Sequence, residues 1–388
     1  MQARRDTRIF YLLVGLGALV VAAGLVAAHY MEEYGHIVTG MNNQIVWGMP
    51  HVFAIFMIVA ASGVLNVASI GSVFGKPPYK TRAPLSGLLS IALLAGGLSV
   101  LMLDLGRPER IIVAATHFNP TSVFAWNVFL YSGLFAFVGI YLWTMMEKRM
   151  NPWSRPAGLL VFVWRIILTT GTGMIFALLV ARQAYGTAIL PPMFIVMSFA
   201  WGLAVFYIVQ AAMYGWNEME LNPAILKRLK NLLGLFILSV IYLVAVYHVT
   251  NFARHAAFER FILAEGGIYP MLFWGGYVFL GSVLPLFLIY FPRLGGKHHV
   301  LVASMLVISG SFCLLYVLII GGQAFPLSIF PGYEARSSFG DGQIGSYAPS
   351  LPEILLGCGG LGVSFLITTI GVRALNFMPR DENTQAGD

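Results

Sequence analysis

The sequence predicts an all-α polytopic membrane protein with about ten transmembrane helices, and its composition is the first reason. Of its 388 residues only 23 are Lys or Arg and 16 are Asp or Glu, so charge makes up 10% of the chain, against roughly 25% in an ordinary soluble protein. Hydrophobic residues make up 58% and aromatic residues 14%. Such a chain has too few charges to cover a soluble surface and too many aromatic residues for a disordered protein.

Ten apolar runs are the second reason, because each is long enough to cross the hydrocarbon layer as a helix, which takes about 20 residues. Within the bilayer the backbone must satisfy its own hydrogen bonds, so such runs are helical. The first run is too long for the apolar part of a signal peptide, about 7–15 residues, and we expect it to be retained. In order, the runs are 9–30, 51–74, 85–105, 122–146, 157–181, 192–213, 232–252, 271–291, 300–320 and 352–375.

The distribution of Lys and Arg between the loops predicts the orientation, since cytoplasmic loops carry the excess. One side holds sixteen basic residues and the other six, with Arg165 left inside a helix. We therefore expect both termini in the cytoplasm of a bacterium or archaeon, with the protein in its cytoplasmic (inner) membrane. The loops 31–50 and 321–351 then face outward.

The basic excess does not indicate nucleic-acid binding. The formal net charge is +7, but Lys and Arg occur singly or in small groups along the whole chain, whereas a nucleic-acid site clusters them on one face. We expect no nucleic-acid partner, and membrane lipid around the protein.

Polar residues concentrate at the helix ends that this orientation places outside, together with Asp104 and Arg107. A His beside a carboxylate at the edge of a bilayer suits quinone chemistry, because an imidazole can hydrogen-bond a carbonyl and exchange a proton near neutral pH. The alternative for each His is an interfacial side chain that binds headgroups or water. Six of the eight His residues lie at this outer side: His29, His36, His51, His117, His248 and His255.

Arg165 and Asn66 are the polar residues expected deeper in the membrane, where a charge is costly and its position is informative. Two interpretations of Arg165 stay open. Its guanidinium either extends to the cytoplasmic interface or takes part, with Asn66, in a proton path.

The sequence contains no motif for a bound metal or redox centre. Its two Cys residues lie in different apolar runs and no C-x-x-C occurs, so neither an iron–sulfur cluster nor a covalently attached c-type haem has a site. A b-type haem would need two facing His ligands, such as His51 with His117 or His248, although none of these lies well inside a run.

Two neighbouring segments carry a more specific signal. Residues 103–110 read L-D-L-G-R-P-E-R at the end of the third run, and residues 118–122 read F-N-P-T-S at the start of the fourth, followed by Trp126. Asp104 and Arg107 are three residues apart, so we expect them to form an ion pair at the helix end. The order and placement of these segments resemble the NrfD/PsrC family of integral membrane subunits.

The resemblance implies an architecture as well. The segment 50–56, P-H-V-F-A-I-F, is most similar to the DsrP/HmeB branch. Members of this branch have two four-helix bundles and, in addition, one extra helix at each end of the chain. The implied divisions are an N-terminal helix and outer loop (1–50), a first bundle with the quinone site (51–190), a second bundle (191–321), and an outer loop with the C-terminal helix (322–388).

The function implied by the resemblance is quinone exchange by a subunit that itself binds no haem or iron–sulfur cluster. Electrons would pass between menaquinone or ubiquinone and a periplasmic iron–sulfur protein similar to DsrO or HmeA. Further redox subunits would belong to the same complex, of the DsrMKJOP type in sulfur metabolism. A Tyr of the family's quinone pocket is replaced here by T-T-G-T-G at residues 169–173.

The candidate site follows from matching the family motif to this sequence. His51 matches the His that contacts the quinone headgroup, and we take His51 and Asp104 as candidate catalytic residues. Arg107, His117 and Trp126 are further candidate quinone-binding residues. Three alternatives stay open: a cofactor-free proton channel or transporter, a di-haem cytochrome b, and a structural anchor that binds no quinone.

Overall fold

A computed structural model gives the fold for residues 7–291, 293–327, 342–375 and 377. The regular structure of these residues is entirely helical, and ten helices are long and apolar enough to cross a membrane. The prediction of an all-α, multi-pass membrane protein is therefore confirmed. The membrane helices are α1 (Thr7–Tyr34), α2 (Met49–Ser72), α3 (Ala83–Leu103), α4 (Val123–Met146), α5 (Ser154–Ala177), α6 (Leu190–Trp216), α7 (Pro223–Arg254), α8 (Ile268–Tyr290), α9 (Lys297–Ala324) and α10 (Leu351–Leu375).

Some helices extend beyond the predicted apolar runs because polar residues continue or cap them. The seventh run was predicted to begin at residue 232, but α7 begins at Pro223. The side chain of Asn222 accepts a hydrogen bond from the backbone N–H of Ala224 at 2.8 Å, and proline suits the first turn of a helix. The start of α7 is thus set by local capping rather than by hydropathy.

The helix α2 forms the centre of the molecule, and 94% of its most apolar segment is buried. It packs against α3, α5, α6 and α10. At the crossing with α6, Gly63 and Gly202 lie so close together that a Cβ on either one would strike the backbone of the other helix. Small residues at a crossing let two membrane helices approach closely, and this approach fixes α2 in the interior.

The other helices pack in two groups around α2 and α6. Neighbouring helices from α2 to α5 contact each other, and α5 returns to α2. The helices α6 to α9 contact each other in the same way, and α9 returns to α6. The helix α1 packs on α10, which in turn packs on α3 and α2. This packing is compatible with two four-helix bundles; the boundaries at residues 50, 190 and 321 stay a prediction, and much of the last division (328–341, 376 and 378–388) lies outside the described residues.

A buried carboxylate of α10 fixes the segment just before α2. Glu353 accepts backbone N–H bonds from Gly40 at 2.9 Å and Ser350 at 2.7 Å, and the hydroxyl of Tyr347 at 2.6 Å. The same Tyr347 hydroxyl accepts the N–H of Met49, the first residue of α2, at 2.7 Å. The last helix thereby positions the N-terminus of α2.

The guanidinium of Arg182, in the connection between α5 and α6, ties the same end of the molecule together. It donates to the carbonyl oxygens of Gln44 and Gln323, both at 2.7 Å. The side chain of Gln323, in α9, accepts the N–H groups of Val46 and Trp47 at 3.0 and 3.1 Å. The segment that leads into α2 is therefore held from several sides, and Trp47 has a fixed position.

Candidate functional site

The structure brings His51, Asp104 and His36 together where α2 begins and α3 ends. His51 Nδ1 lies 3.1 Å from Asp104 Oδ2. His36 Nε2 lies 3.7 Å from Asp104 Oδ1 and 3.0 Å from the Asp104 carbonyl oxygen. His36 belongs to the short turn His36–Val38 between α1 and α2, so three separate segments supply the cluster. One carboxylate stands between two imidazoles.

The carboxylate of this cluster is shielded from water, whereas the two imidazoles are partly exposed. The side chain of Asp104 is 3% exposed, against 22% for His51 and 36% for His36. Asp104 directly follows α3 and lies outside the membrane-spanning segment. Burial by itself would raise the pKa of Asp104, but the two imidazoles outweigh burial and lower the pKa to about 2. The site therefore favours an ionised carboxylate beside a protonated imidazole.

Asp104 in turn raises the pKa of His36 above its ordinary value. The hydrogen-bonding interaction with Asp104 raises the pKa of His36, burial opposes it, and the charges of Asp104 and Glu353 add to the increase. His36 is thus the more water-accessible imidazole of the cluster and one that holds its proton more firmly than an isolated His.

Hydrogen-bonding capacity is left over at this cluster. His51 Nδ1 and Asp104 Oδ1 are buried, and neither makes a hydrogen bond of good geometry with the described residues, in spite of the short distance from Nδ1 to Oδ2. A buried polar atom without a partner costs about 1–3 kcal/mol. With Nδ1 turned toward Asp104, Nε2 is the atom of His51 left for a ligand. The cluster therefore suits a polar ligand or bound water.

An aromatic wall flanks His51. The Trp47 ring lies 6.0 Å from the His51 ring at an interplanar angle of 27°, and it also contacts Phe124 of α4 at 6.2 Å and Phe176 of α5 at 5.5 Å. A flat apolar surface next to an imidazole fits a planar headgroup that carries a carbonyl oxygen, because the ring can stack while the oxygen accepts a hydrogen bond. The residues present therefore fit a quinone.

The structure corrects the expected ion pair between Asp104 and Arg107. Arg107 is exposed, and no ion pair joins it to Asp104 in the described part of the chain. The physical reason is that α3 ends at Leu103 and the backbone leaves the helix before Arg107, which has a φ of −145°. A spacing of three residues brings side chains together only while the helix continues.

His117 and Trp126 are not brought to the His51 cluster by any described contact. The ring of His117 hydrogen-bonds the hydroxyl of its neighbour Thr116 at 2.9 Å. Trp126 Nε1 donates to the carbonyl oxygen of Pro120 at 2.6 Å, and its ring is 59% exposed. The aromatic residue of α4 that reaches the wall is Phe124, two positions earlier.

Arg165 is buried in the middle of the molecule, at 2% exposure, so its side chain does not extend to an interface. Its Nη1 donates to the carbonyl oxygen of Ser62 in α2 at 3.2 Å, and its guanidinium lies over the rings of Phe162 and Phe199 at 5.0 and 5.5 Å. None of the ion pairs formed by the described residues includes Arg165. Asn66, one turn after Ser62 on α2, keeps a buried Nδ2 without a hydrogen bond to the described residues.

Among the residues the structure describes, no group of three or more His, Cys, Asp or Glu side chains could hold a metal ion. The His residues considered for haem ligation have other partners. His51 faces Asp104, His117 bonds Thr116, and His248 Nδ1 lies 2.7 Å from Glu259 Oε2. The contacts do not support the pairs of His51 with His117 or His248.

Sequence reasoning missed two residues of the site. His36 was one of six outer His residues with nothing to single it out, because its contact with Asp104 joins positions 68 residues apart. Trp47 stands in a loop and carries no motif. The excess of His at the outer helix ends was the signal for His36, and no sequence signal indicated Trp47.

Comparison with known proteins gives a family match over most of the chain. A family model described as "Polysulphide reductase, NrfD" matches residues 37–327. The matched range begins directly after His36 and runs to the end of α9, and it leaves out α1 and α10.

Several relatives are similar to most or nearly all of the sequence. The Hdr-like menaquinol oxidoreductase integral membrane subunit of Archaeoglobus fulgidus is 29% identical over 380 residues, covering 96% of this protein and 95% of the relative. A putative membrane subunit of dimethyl sulfoxide reductase from Halobacterium salinarum is 27% identical over 93% of this protein and 90% of its own length. A polypeptide of the polysulfide reductase of Wolinella succinogenes is 23% identical over 73% of this protein and 96% of its own length.

Proposed function

The protein belongs to the NrfD family of integral membrane subunits, and on that basis we propose that it exchanges electrons between membrane quinone and an iron–sulfur partner on the outer side. Subunits of this family interact with quinone, and the relatives are membrane subunits of redox complexes. The observation that carries the proposal for this protein is the 3.1 Å contact of His51 with Asp104, beside the aromatic wall of Trp47, Phe124 and Phe176.

The proposed roles follow from the geometry. His51 Nε2 hydrogen-bonds a carbonyl or hydroxyl oxygen of the headgroup, and the imidazole takes up or supplies the proton there. Asp104 stays ionised and stabilises the protonated imidazole. His36, more exposed than His51, exchanges the proton with water. A bound quinol that is oxidised here gives up two electrons, which pass to the iron–sulfur partner, and two protons, which leave one after the other through His51 and His36 to water. Arg107, His117 and Trp126 stay candidates for the rim of the site.

The proposed partner is a periplasmic iron–sulfur protein of the DsrO/HmeA type, within a complex of the DsrMKJOP type that includes further redox subunits. The relative from Archaeoglobus fulgidus, named as a menaquinol oxidoreductase subunit, supports menaquinone rather than ubiquinone. Exposed apolar side chains also support a docked protein: Ile37, which follows His36, is 89% exposed, and Ile112 and Val113 of the short helix Ile111–Thr116, which follows the Asp104 segment in sequence, are 69% and 57% exposed.

Replacement of His51 tests the proposal. In the purified complex, His51→Ala should lower the rate of quinol-dependent electron transfer by about 10²–10⁴-fold, the usual contribution of one positioned acid–base group. The complex should remain assembled, because His51 Nδ1 makes no hydrogen bond of good geometry with the described residues that would hold α2 in place. The readout is acceptor reduction with a water-soluble quinol analogue, alongside co-purification of the other subunits.

A matched control is His29→Ala. His29 lies on α1 near the same end of the molecule, its side chain is 77% exposed, and among the described residues its ion-pair contact is with Glu33 at 3.8 Å, so its removal should leave the rate unchanged. If the His51→Ala complex oxidised quinol at the full rate, the proposal that His51 forms the quinone site would be wrong.

A second candidate function, proton conduction by this protein alone, is favoured by the buried Arg165 and Asn66. This function predicts a proton flux across liposomes that contain only this protein, lost in Arg165→Met. A di-haem cytochrome b predicts a Soret band in the purified protein. Absence of flux and of colour, with quinol-dependent activity in the complex, supports the quinone proposal over both.

A further inference from the structure

The buried amide of Gln323 holds the backbone of Trp47 in both directions. Gln323 lies in the last turn of α9 and is 2% exposed. Its Oε1 accepts the backbone N–H of Trp47 at 3.1 Å and that of Val46 at 3.0 Å, while its Nε2 donates to the Trp47 carbonyl oxygen at 3.0 Å. Nε2 also donates to the carbonyl oxygen of Ile319 at 2.9 Å, so both donors and both acceptor positions of the amide are used.

Trp47 depends on this distant side chain because it lies in a loop. It stands two residues before α2 and outside the helices, where no helical hydrogen bonds fix the backbone. The N–H and C=O of a partly buried loop residue need partners, and here both partners belong to a side chain 276 residues further along the chain. Loss of the Gln323 amide would therefore release both polar groups of the Trp47 backbone.

The end of α9 is itself tied to the same loop. The guanidinium of Arg182 bridges the carbonyl oxygens of Gln44 and Gln323 at 2.7 Å each, and Gln44 Nε2 donates to the Ala324 carbonyl oxygen at 2.9 Å. Hydrogen bonds from a charged donor are stronger than neutral ones. The loop that carries Trp47 and the end of α9 are thus held together by two independent sets of bonds.

This arrangement affects the candidate site because Trp47 forms its aromatic wall. The Trp47 ring lies 6.0 Å from the His51 ring at an interplanar angle of 27°. A planar headgroup that stacks on Trp47 and accepts a hydrogen bond from His51 must meet both groups at once, and it binds more tightly when both are already in position. The hydrogen bonds of Gln323 to described residues go to backbone groups and not to His51 or Asp104, so Gln323 can act on the site through Trp47.

We propose that Gln323 is a positioning residue of the quinone site, which sets the affinity for the headgroup by holding Trp47 at stacking distance from His51. The inference rests on the quinone exchange proposed above and adds to it a residue from the second group of helices. Gln323 acts on binding, whereas His51 acts on proton transfer. Loss of an interaction that holds substrate and transition state equally raises KM and leaves kcat unchanged, so the two residues should give different kinetic signatures.

Fluorine NMR tests the positioning directly, on the full-length protein in lipid nanodiscs with fluorinated tryptophan at its eight Trp positions. Trp47→Phe assigns the Trp47 signal. Gln323→Met keeps the length of the side chain but removes its hydrogen bonds, and it should shift the Trp47 signal away from its wild-type position. An unchanged Trp47 signal in Gln323→Met would overturn the inference and would leave the quinone proposal untouched.

Kinetics of the purified complex, with menadiol as the quinol, test the consequence. Gln323→Met should raise KM by about 5- to 10-fold, the equivalent of about one net hydrogen bond, and change kcat by less than about twofold. Gln210→Met is the matched control, since Gln210 of α6 is 0% exposed and its amide makes no hydrogen bond with the described residues; its KM should stay at the wild-type value. A wild-type KM in Gln323→Met, beside a raised KM in Trp47→Ala, would reject the positioning role.

A double variant separates positioning from a general loss of structure. If Gln323 acts through Trp47, Gln323→Met combined with Trp47→Ala should have the KM of Trp47→Ala alone, because no ring is left to position. Effects that multiply, or a lowered kcat, would contradict the proposal. Arg182→Met removes the other tie between α9 and the loop and should give the same pattern, which keeps the test decisive even where the Gln323→Met complex fails to assemble. Full activity of His51→Ala would instead count against the quinone site itself.

Discussion

At the scale of single residues, Asp104 is the central group of the site because its single negative charge faces two imidazoles. His51 lies 3.1 Å and His36 3.7 Å from its two carboxylate oxygens. A single carboxylate balances one positive charge, so protonation of one imidazole disfavours protonation of the other. Of the two imidazoles, that of His36 is the more exposed to water, so it is the one placed to exchange protons with water.

This coupling predicts how His36 titrates. Asp104→Asn should lower the pKa of His36 from its raised value toward the ordinary 6.5, since the interaction with Asp104 is the largest cause of the increase. The measurement is an NMR titration of isotopically labelled His, with the His36 signal assigned from His36→Gln. Arg107→Gln is the comparison variant and should leave His36 unchanged, because Arg107 forms no ion pair with Asp104 in the described structure. Equal shifts in both variants would contradict the cluster.

The same shifts set the pH range in which the cluster stabilises the fold. The pKa of Asp104 is depressed from 3.8 to about 2, so its contribution is fully present above 3.8 and is lost as the pH falls toward 2. The pKa of His36 is raised above 6.5, so its contribution is fully present below 6.5 and is lost as the pH rises through its folded value. Both contributions coexist between about pH 4 and 6.5.

Sequence analysis predicted Asp104 and His51 but not their contact. The motif around residues 103–110 marks Asp104 as chemically important, and the position of His51 at a helix start marks that residue. Their partners depend on tertiary structure, since the segment with His36 approaches Asp104 only after α1, α2 and α3 have packed. The expected Arg107 partner was wrong because sequence spacing cannot show where a helix gives way to a turn.

At the scale of helices, the crossing of α2 and α6 is the tightest constraint on the site. The Cβ position of Gly202 is occupied by backbone atoms of Gly63 and Val64, and that of Gly63 by backbone atoms of Ser198. Backbone cannot move aside as a flexible side chain can, so one added methyl group must separate the two helices. Since α2 carries His51, such a separation also disturbs the cluster.

Gly202→Ala should therefore destabilise the protein by about 1–3 kcal/mol, the usual cost of overpacking, although Ala is the better helix former by about 1 kcal/mol. The readout is the midpoint of thermal unfolding in detergent. Gly139→Ala, in α4, provides the matched control, because a Cβ there meets nothing within 4 Å and the substitution should keep or raise the midpoint. A Gly202→Ala protein as stable as the control would show that the crossing is looser than described.

The existence of the helices was predictable and their partners were not. Crossing the bilayer requires a minimum apolar length, which is why ten runs predict ten membrane helices. Which helices pack together depends on a few small residues and buried polar groups. The sequence has 42 glycines, and only some of them lie at helix crossings. Nothing in the sequence marks Gly202 rather than Gly139, or shows that Glu353 of the last helix reaches the start of α2.

At the scale of the whole molecule, the His51–Asp104 cluster and the buried His248–Glu259 pair lie at one end. Ten consecutive membrane helices alternate in direction, so the start of α2 and the end of α7 share a side. Contacts at that end agree with this, since Tyr247 of α7 donates to the carbonyl oxygen of Ala184 at 2.7 Å, and Arg182 nearby binds Gln44 just before α2. The buried charge of Arg165 stands apart in the interior.

Which side of the membrane holds this end is predicted by the loop charges, sixteen basic residues against six, although Arg4, Arg5, Arg336 and Arg380 of that count lie outside the described residues. The excess predicts that both termini lie in the cytoplasm and that the His51 end lies outside. The proposed iron–sulfur partner requires this orientation, because it docks from the outer side. An inverted protein would present the site to the cytoplasm.

Cysteine labelling decides the orientation, and the protein suits the method because its two cysteines, Cys313 and Cys358, are half-buried in helices and can be replaced by Ala. In that background, Ile37→Cys introduces a thiol in the outer loop, at a position that is 89% exposed, and Lys148→Cys introduces one in the exposed turn between α4 and α5. In spheroplasts that express this subunit without its redox partners, which would otherwise cover Ile37, a membrane-impermeant maleimide should label Ile37→Cys at once and Lys148→Cys only after the membrane is permeabilised. The reverse pattern would invert the protein and move the His51 site, with any partner that uses it, to the cytoplasmic side.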